Sequence, residues 1–330
     1  MSKILCLHHT DLDGACAGAI CGYWCEKMGY DIDYRLYNYG YPLKESDFDG
    51  YDEIFAVDIS FHESSPWVYT YLGPRLTWID HHKSAIEFEK KNYNIFKDLG
   101  IAGIREIGKG ACELTWEYLF PDSRTPKLVQ YLSTYDTWRK DREGFDWRTC
   151  ECIQWGCRQE YGISAKDICN YLKLAELGLT DYLEELRSKG ESILSYVEKN
   201  FTGKLKNYGS FIPEFNVEGI GSYRVMALNT NEFTSKVFEG LFDPRYYDIM
   251  MPYCICPREG DPGKFDVRVS LYTEKPGIDV SKIAEIFGGG GHIGAAGFST
   301  TLETLSTILS CAMSLKEYDN WLYITGRKKC

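Results

Sequence analysis

Over its first hundred residues the chain alternates short apolar runs with helix-like segments, and this alternation constrains the fold more than any other feature. Lys3 to Leu7 is a strand-length apolar run. Gly14 to Met28 then carries apolar residues at helical spacing, and Gly29 ends it. Ile54 to Val57 and Leu76 to Ile79 are two further buried-strand candidates, with a helix-like segment from Ser64 to Leu72 between them. Short apolar strands separated by helices build an open parallel α/β sheet with helices on both faces.

Each run ends in polar residues of one chemical kind. His9, Asp11 and Asp13 follow the first strand, Asp58 the second, and Asp80, His81 and His82 the third. Ligands of open α/β sheets bind in the crevice at the carboxyl ends of the strands, so three strands deliver carboxylates and imidazoles to one rim. Hard carboxylates mixed with imidazole suit Mn²⁺, Fe²⁺ or Zn²⁺. The carboxylate excess without a Cys partner favours Mn²⁺, and the donors suffice for two ions. Taken singly, each residue has a plainer reading. Asp13 caps the helix that follows, Asp11 serves a turn, Asp58 ends a strand, and a His-His pair sits on a surface loop. Three such accidents at three strand ends, all in metal-ligand side chains, are what the metal reading replaces.

From about Ala111 to Asn200 the pattern is helical, with segments at Ala111 to Leu119, Thr125 to Thr134, and Ala165 to Asn200 with a break near Gly178. Residues 201–207, containing Gly203 among Lys and Asn, read as a linker between a first domain, 1–200, and a second, 208–330. Beyond it come strand-like runs at Tyr223 to Leu228 and Phe265 to Tyr272. A helix at Val280 to Phe287, the glycines Gly288 to Gly291, and a helix near Leu302 to Leu315 follow.

The chain has 330 residues, 37 Lys plus Arg against 48 Asp plus Glu, and a formal charge of −11, a balance that excludes coating of long duplex DNA. No run approaches the ~20 apolar residues that span a bilayer, so no membrane partner is expected. Thirteen Cys behind an N-terminus without a signal-peptide core point to free thiols in a reducing compartment, the cytoplasm. Cys150, Cys152 and Cys157, and Cys254 with Cys256, lack the paired spacing of a structural zinc site.

His9-Thr10-Asp11-Leu12-Asp13-Gly14, Val57-Asp58, Asp80-His81-His82 and Tyr135-Asp136-Thr137-Trp138 resemble the four ordered motifs of the DHH phosphoesterase family. Phe287-Gly288-Gly289-Gly290-Gly291-His292 with Ala295-Ala296-Gly297-Phe298 resembles the signature of its accessory DHHA1 domain. The resemblance runs from about residue 4 to residue 300. It implies an N-terminal parallel-sheet domain with helices on both faces and a smaller C-terminal α/β domain. It further implies two Mn²⁺ per chain, with other divalent ions admitted by the same ligands. His9 and Asp11 would hold one ion, Asp58 would bridge, and Asp13, His81 and Asp136 would complete the second. Asp80 would orient the His pair and His82 would face the substrate phosphate. His8 stands as an alternative ligand to His9, although strand alternation and the His-x-Asp-x-Asp spacing favour His9.

In the second domain, Gly289, Gly290, Gly291 and His292 would hold a substrate phosphate, since residues without Cβ allow close backbone approach. Arg268 would contribute from an alternating strand, and an ordinary exposed strand arginine is the equal alternative. The activity implied is hydrolysis of phosphodiester bonds in short oligoribonucleotides, as in the nanoRNase members, by a hydroxide bridging the two metals. Cyclic or linear dinucleotides, cyclic mononucleotides and 3′-phosphoadenosine 5′-phosphate are alternatives, and a non-catalytic nucleotide sensor is a rival of another class. The aromatic stretch Tyr34 to Tyr41 either stacks bases or packs the core. Oligomeric state is not legible.

Overall fold

The computed structural model describes residues 2–38, 41–162, 164–176, 181–232, 235–258, 261–315 and 317. The chain divides into two compact units, Met1–Leu194 and Ser195–Cys330.

In the first unit, β1 (Lys3–His8), α1 (Leu12–Met28), β2 (Asp31–Leu36), β3 (Glu53–Val57), α2 (Trp67–Leu72) and β4 (Leu76–Ile79) build a four-stranded sheet in the order β2-β1-β3-β4. Every pairing is parallel. After β4 come α3 (Lys83–Lys91), α4 (Tyr93–Leu99), α5 (Ala111–Leu119), α6 (Lys127–Asp136), α7 (Trp147–Tyr161) and α8 (Ala165–Glu176). Successive strand side chains point to opposite faces, and the strands are apolar on both. Ile4, Cys6, Phe55 and Val57 therefore enter one core with α1 and α5 to α8. Leu5, Leu7, Ile54, Ala56 and Trp78 enter the other with Val68, Ala85 and Phe96 from α2, α3 and α4. The expected sheet with helices on both faces is present.

Helix α1 begins at an Asp11 cap whose carboxylate accepts the Gly14 N–H, and it ends at Gly29 in the left-handed region. Strand β2 is not among the runs singled out in the sequence, because on the sheet edge its residues alternate between half-buried and exposed. Helix α2 begins at Trp67 rather than Ser64, since Ser64 and Ser65 are held in a turn by Tyr37 Oη and the Phe61 carbonyl.

The expected break near Gly178 lies outside the described residues. Helix α9 (Asp181–Tyr208) then runs through 201–207, so the expected linker is a correction: this stretch is helical. Phe201 and Leu205, four residues apart, are buried, while Gly203 and Lys206 form the exposed face. The linker-like composition belongs to the solvated side of a helix whose other side is apolar.

The second unit contains β5 (Ser210–Val217), β6 (Gly221–Asn229), β7 (Ile249–Pro257), β8 (Phe265–Tyr272), α10 (Val280–Ile286), β9 (Gly290–Gly291), β10 (Ala295–Thr300), α11 (Leu302–Ile308) and β11 (Met313–Ser314). Its seven strands run β11-β5-β6-β7-β8-β10-β9, antiparallel except for β6 with β7. Val225, Ala227 and Met251 face a core with α10 and α11, while Met226, Leu228 and Met250 face Phe201 and Leu205 of α9. Helix α11 stops at Ile308 instead of Leu315, because Met313 and Ser314 pair with β5 and the Leu315 N–H donates to the Gly209 carbonyl. Among the described residues no helix is long and apolar enough to cross a membrane.

Candidate metal centre

Strand β1 lies at the centre of the parallel sheet, and the chain leaves it first toward β2 and then returns to β3 on the other side. That reversal opens a crevice at the carboxyl ends of the strands. His9 and Asp11 follow β1, Asp58 follows β3, Asp80, His81 and His82 follow β4, and Asp136 is the last residue of α6.

These side chains meet. His9 Nδ1 lies 2.7 Å from Asp11 Oδ2 and 3.6 Å from Asp58 Oδ2. His81 Nε2 lies 3.1 Å from Asp58 Oδ1, 3.6 Å from Asp13 Oδ2 and 3.4 Å from Asp136 Oδ2. Two donor groups therefore adjoin, His9–Asp11–Asp58 and Asp13–Asp58–His81, with Asp58 common to both. A third, Asp58–Asp80–His82, reaches the same carboxylate. Asp58 sits at φ +60°, a conformation uncommon outside glycine that recurs at functional sites.

Asp80 is fully buried. Its Oδ1 accepts the His81 N–H at 2.7 Å and the His82 N–H at 3.1 Å, and it lies 2.7 Å from His82 Nδ1. Its other oxygen is buried without a hydrogen-bond partner. Asp13 is held from α5: Oδ2 accepts the Ala111 N–H at 2.6 Å and Oδ1 the Cys112 N–H at 3.1 Å. The start of a helix, with its unpaired N–H groups, is a natural seat for a carboxylate. Gly110 is required there, since a Cβ would stand 2.7 Å from Asp13 Oδ1. This support for Asp13 escapes a reading of the sequence because its residues are 98 and 99 positions away.

The electrostatics call for cations. Burial, then the neighbouring Asp11 and Asp13, push the Asp58 carboxyl well above its usual range; burial and Asp13 do the same to Asp136. Burial works against a charged imidazole at His9, yet its hydrogen bonds to Asp11 and Asp58 raise it to about 11. His81 and His82 are likewise raised against burial, by Asp136 and Asp13 in one case and by Asp80 in the other. Hard oxygen donors, imidazoles and an orphaned buried carboxylate oxygen fit divalent ions, which would displace the protons that the imidazoles otherwise keep.

His8 is buried, with Nδ1 2.9 Å from the His9 carbonyl oxygen and its ring against Gly18, so His9 is the residue brought to the donors. Of the aromatic stretch, Tyr37 is buried with its hydroxyl on Ser64 and Tyr34 packs beside Gly22 and His8. Tyr41 is exposed, and Tyr39 lies outside the described residues.

In the second unit, Arg268 is exposed on β8, in register with Cys254 and Ser299 of its neighbours. The glycine run has local causes that the sequence did not disclose. Gly288 (φ +78°) follows the end of α10, Gly289 abuts the Gly297 carbonyl, and Gly291 (φ +142°) abuts the Ala295 carbonyl. Gly290 alone of the four has neither constraint. His292 closes the β9–β10 turn through mutual backbone bonds with Ala295.

No protein-family model matches the chain. An uncharacterised protein of Acanthamoeba polyphaga mimivirus is 28% identical over 228 residues, covering 67% of this chain and 47% of that protein. The chain thus matches less than half the length of that curated relative. Among solved structures, an exopolyphosphatase-related protein from Bacteroides fragilis covers 98% of this chain and 94% of its own, at 13% identity and a TM-score of 0.49. A pGpG-specific phosphodiesterase from Vibrio cholerae covers 94% and 97%, at 11% and 0.47. RecJ in complex with Mn²⁺ from Thermus thermophilus covers 93% and 51%, at 15% and 0.46. All three scores lie below 0.5.

Proposed function

We propose that the chain is a metal-dependent phosphoesterase that hydrolyses phosphodiester bonds of short nucleotide substrates, with short oligoribonucleotides first among them. The observation that carries this reading is the pair of adjoining donor groups sharing Asp58. His9 and Asp11 would hold one Mn²⁺ with Asp58, and Asp13, His81 and Asp136 would hold a second with the same Asp58. Divalent ions so placed neutralise charge on a phosphoryl group and make water nucleophilic near neutral pH.

The remaining work falls to the chain's own groups. Asp80 engages His82 at Nδ1, which fixes the ring and leaves proton exchange with the substrate or its leaving group to Nε2. Asp13 is oriented by the start of α5, and Asp80 holds the backbone turn that carries both histidines. Gly290, Gly291, His292 and Arg268 would bind the rest of the substrate. The burial of Cys6, Cys16, Cys21 and Cys157 as core thiols supports a reducing, cytoplasmic setting.

The test is a product-resolved assay with Mn²⁺ on 5′-labelled RNAs of two to ten nucleotides, beside cyclic dinucleotides and 3′-phosphoadenosine 5′-phosphate. Release of mononucleotides from the shortest RNAs, lost in Asp136→Ala, is the expected result. A labelled mononucleotide at the first cleavage shows attack from the 5′ end. Turnover confined to the dinucleotide or bisphosphate arms would replace the substrate. Binding without turnover in every arm would make the protein a sensor.

A further inference from the structure

Asp13 and Asp136 come from different helices, yet both are tied to one buried carboxylate that touches neither. Glu113, on the first turn of α5, is 4% exposed. Its Oε2 accepts from Ser133 Oγ at 2.6 Å and Arg139 Nη2 at 2.8 Å, and its Oε1 accepts from Arg142 Nη2 at 2.7 Å.

The links run both ways from this point. Ser133 Oγ accepts the Gly110 N–H at 2.8 Å, and Gly110 caps the turn whose Ala111 and Cys112 N–H groups grip Asp13. On the other side, Arg139 Nε donates to Thr137 Oγ1 at 2.8 Å, and Thr137 Oγ1 donates back to the Ser133 carbonyl. Thr137 directly follows Asp136 and ends α6. Arg142 adds a bond to Thr134 Oγ1, two residues before Asp136. Charge pairs around a buried carboxylate hold geometry because losing one partner leaves the others unsatisfied.

We infer that Glu113 is a positioning residue for the second metal position: by joining the start of α5 to the end of α6 it sets Asp13 and Asp136 against His81. The inference rests on the metal-centre reading above and deepens it. His9 and Asp11 lie outside the network, so the first position, built with Asp58, does not depend on Glu113. The two positions therefore respond differently to its loss, whereas a general loss of stability would weaken both.

The experiment is stepwise Mn²⁺ titration of the full chain by calorimetry, with electron paramagnetic resonance to report coupled against isolated ions. Wild type, Glu113→Gln and Ser133→Ala are compared. The expected result in Glu113→Gln is a second step weakened about tenfold or more, as for other groups that orient metal ligands, with the first step unchanged and the coupled signal lost. A second step unchanged, or both steps weakened alike, overturns the inference. If Glu113→Gln does not fold, Ser133→Ala decides: it leaves the Glu113–arginine pairs in place and cuts the link to Gly110. Selective loss of the second step then supports the inference, and retention overturns it. A wild type that binds no Mn²⁺ at either step would instead overturn the metal-centre reading itself.

Discussion

Asp58 is held against three unfavourable terms at once: a left-handed backbone at φ +60°, full burial, and carboxylates on two sides. A non-glycine residue in that region costs about 1–3 kcal/mol, and the charge adds to it. Asn tolerates the same backbone and keeps the shape without the charge. In metal-free protein Asp58→Asn should therefore raise the Tm while weakening Mn²⁺ binding by ~100-fold or more, read by melting curves with and without the ion. A Tm that falls would show that the carboxylate is stabilising by itself. The histidines set the pH dependence of the same state. His9 is raised from 6.5 to about 11, so its contribution is fully present below pH 6.5 and is lost as pH rises toward 11. His81 and His82 act in the same direction. The raised carboxyls of Asp58 and Asp136 prefer the proton in the fold, and they too lose stability as pH rises. Metal-free protein should melt lower at pH 9 than at pH 6.5, and saturating Mn²⁺ should flatten or reverse that slope because its ligands must be deprotonated. A metal-free Tm independent of pH over this range would contradict the proposed protonation.

Helix α9 carries an apolar face at Phe201 and Leu205 and a solvated face at Gly203 and Lys206. Gly203 has open space around its missing Cβ and a backbone compatible with other residues. Gly203→Ala should stabilise by about 0.5–1 kcal/mol, as expected for a helical glycine. Leu205 is fully buried beneath the second sheet, and Leu205→Ala should cost about 2–5 kcal/mol. Denaturant unfolding of the two variants checks both; neutrality of both would restore the linker. The stretch misleads because Gly, Lys and Asn mark a loop and a solvated helix face alike, and only the Phe201–Leu205 spacing separates them. The metal rim, by contrast, was legible at His9, Asp11, Asp58 and His81 because these stand within a few residues of a strand's end, and strand ends are readable from apolar runs. Asp136, at the end of α6, came only with the family resemblance. Asp13's seat on α5 and the Glu113 network were not legible. They join residues that are distant in sequence, through backbone N–H groups that carry no residue signature. The glycine run was half-legible: its need for missing Cβ atoms was visible, whereas the packing against Gly297 and Ala295 that creates most of that need was not.

At the scale of the whole molecule, the charge of −11 and the placement of the acidic residues have different consequences. The net charge opposes association with long polyanions, while five carboxylates gathered at one rim create a local demand for cations. Each compact unit also has its own pair of cores, one on either face of its sheet. All of the proposed ligands belong to the first unit. An ion that binds the folded state alone stabilises by RT ln(1 + [L]/Kd), about 2.7 kcal/mol at a hundredfold excess over Kd, and it does so only for the cooperative unit that contains the site. Scanning calorimetry of the full chain should accordingly resolve two transitions. Mn²⁺ should move one of them upward, by roughly 2–4 °C per kcal/mol for a unit of this size, and leave the other in place. Asp136→Ala should reduce the shift of the first without moving the second. A single transition that rises with Mn²⁺ would mean that α9, which crosses the boundary between Leu194 and Ser195, couples the units into a single folding event. The independence of the two pairs of cores would then be lost.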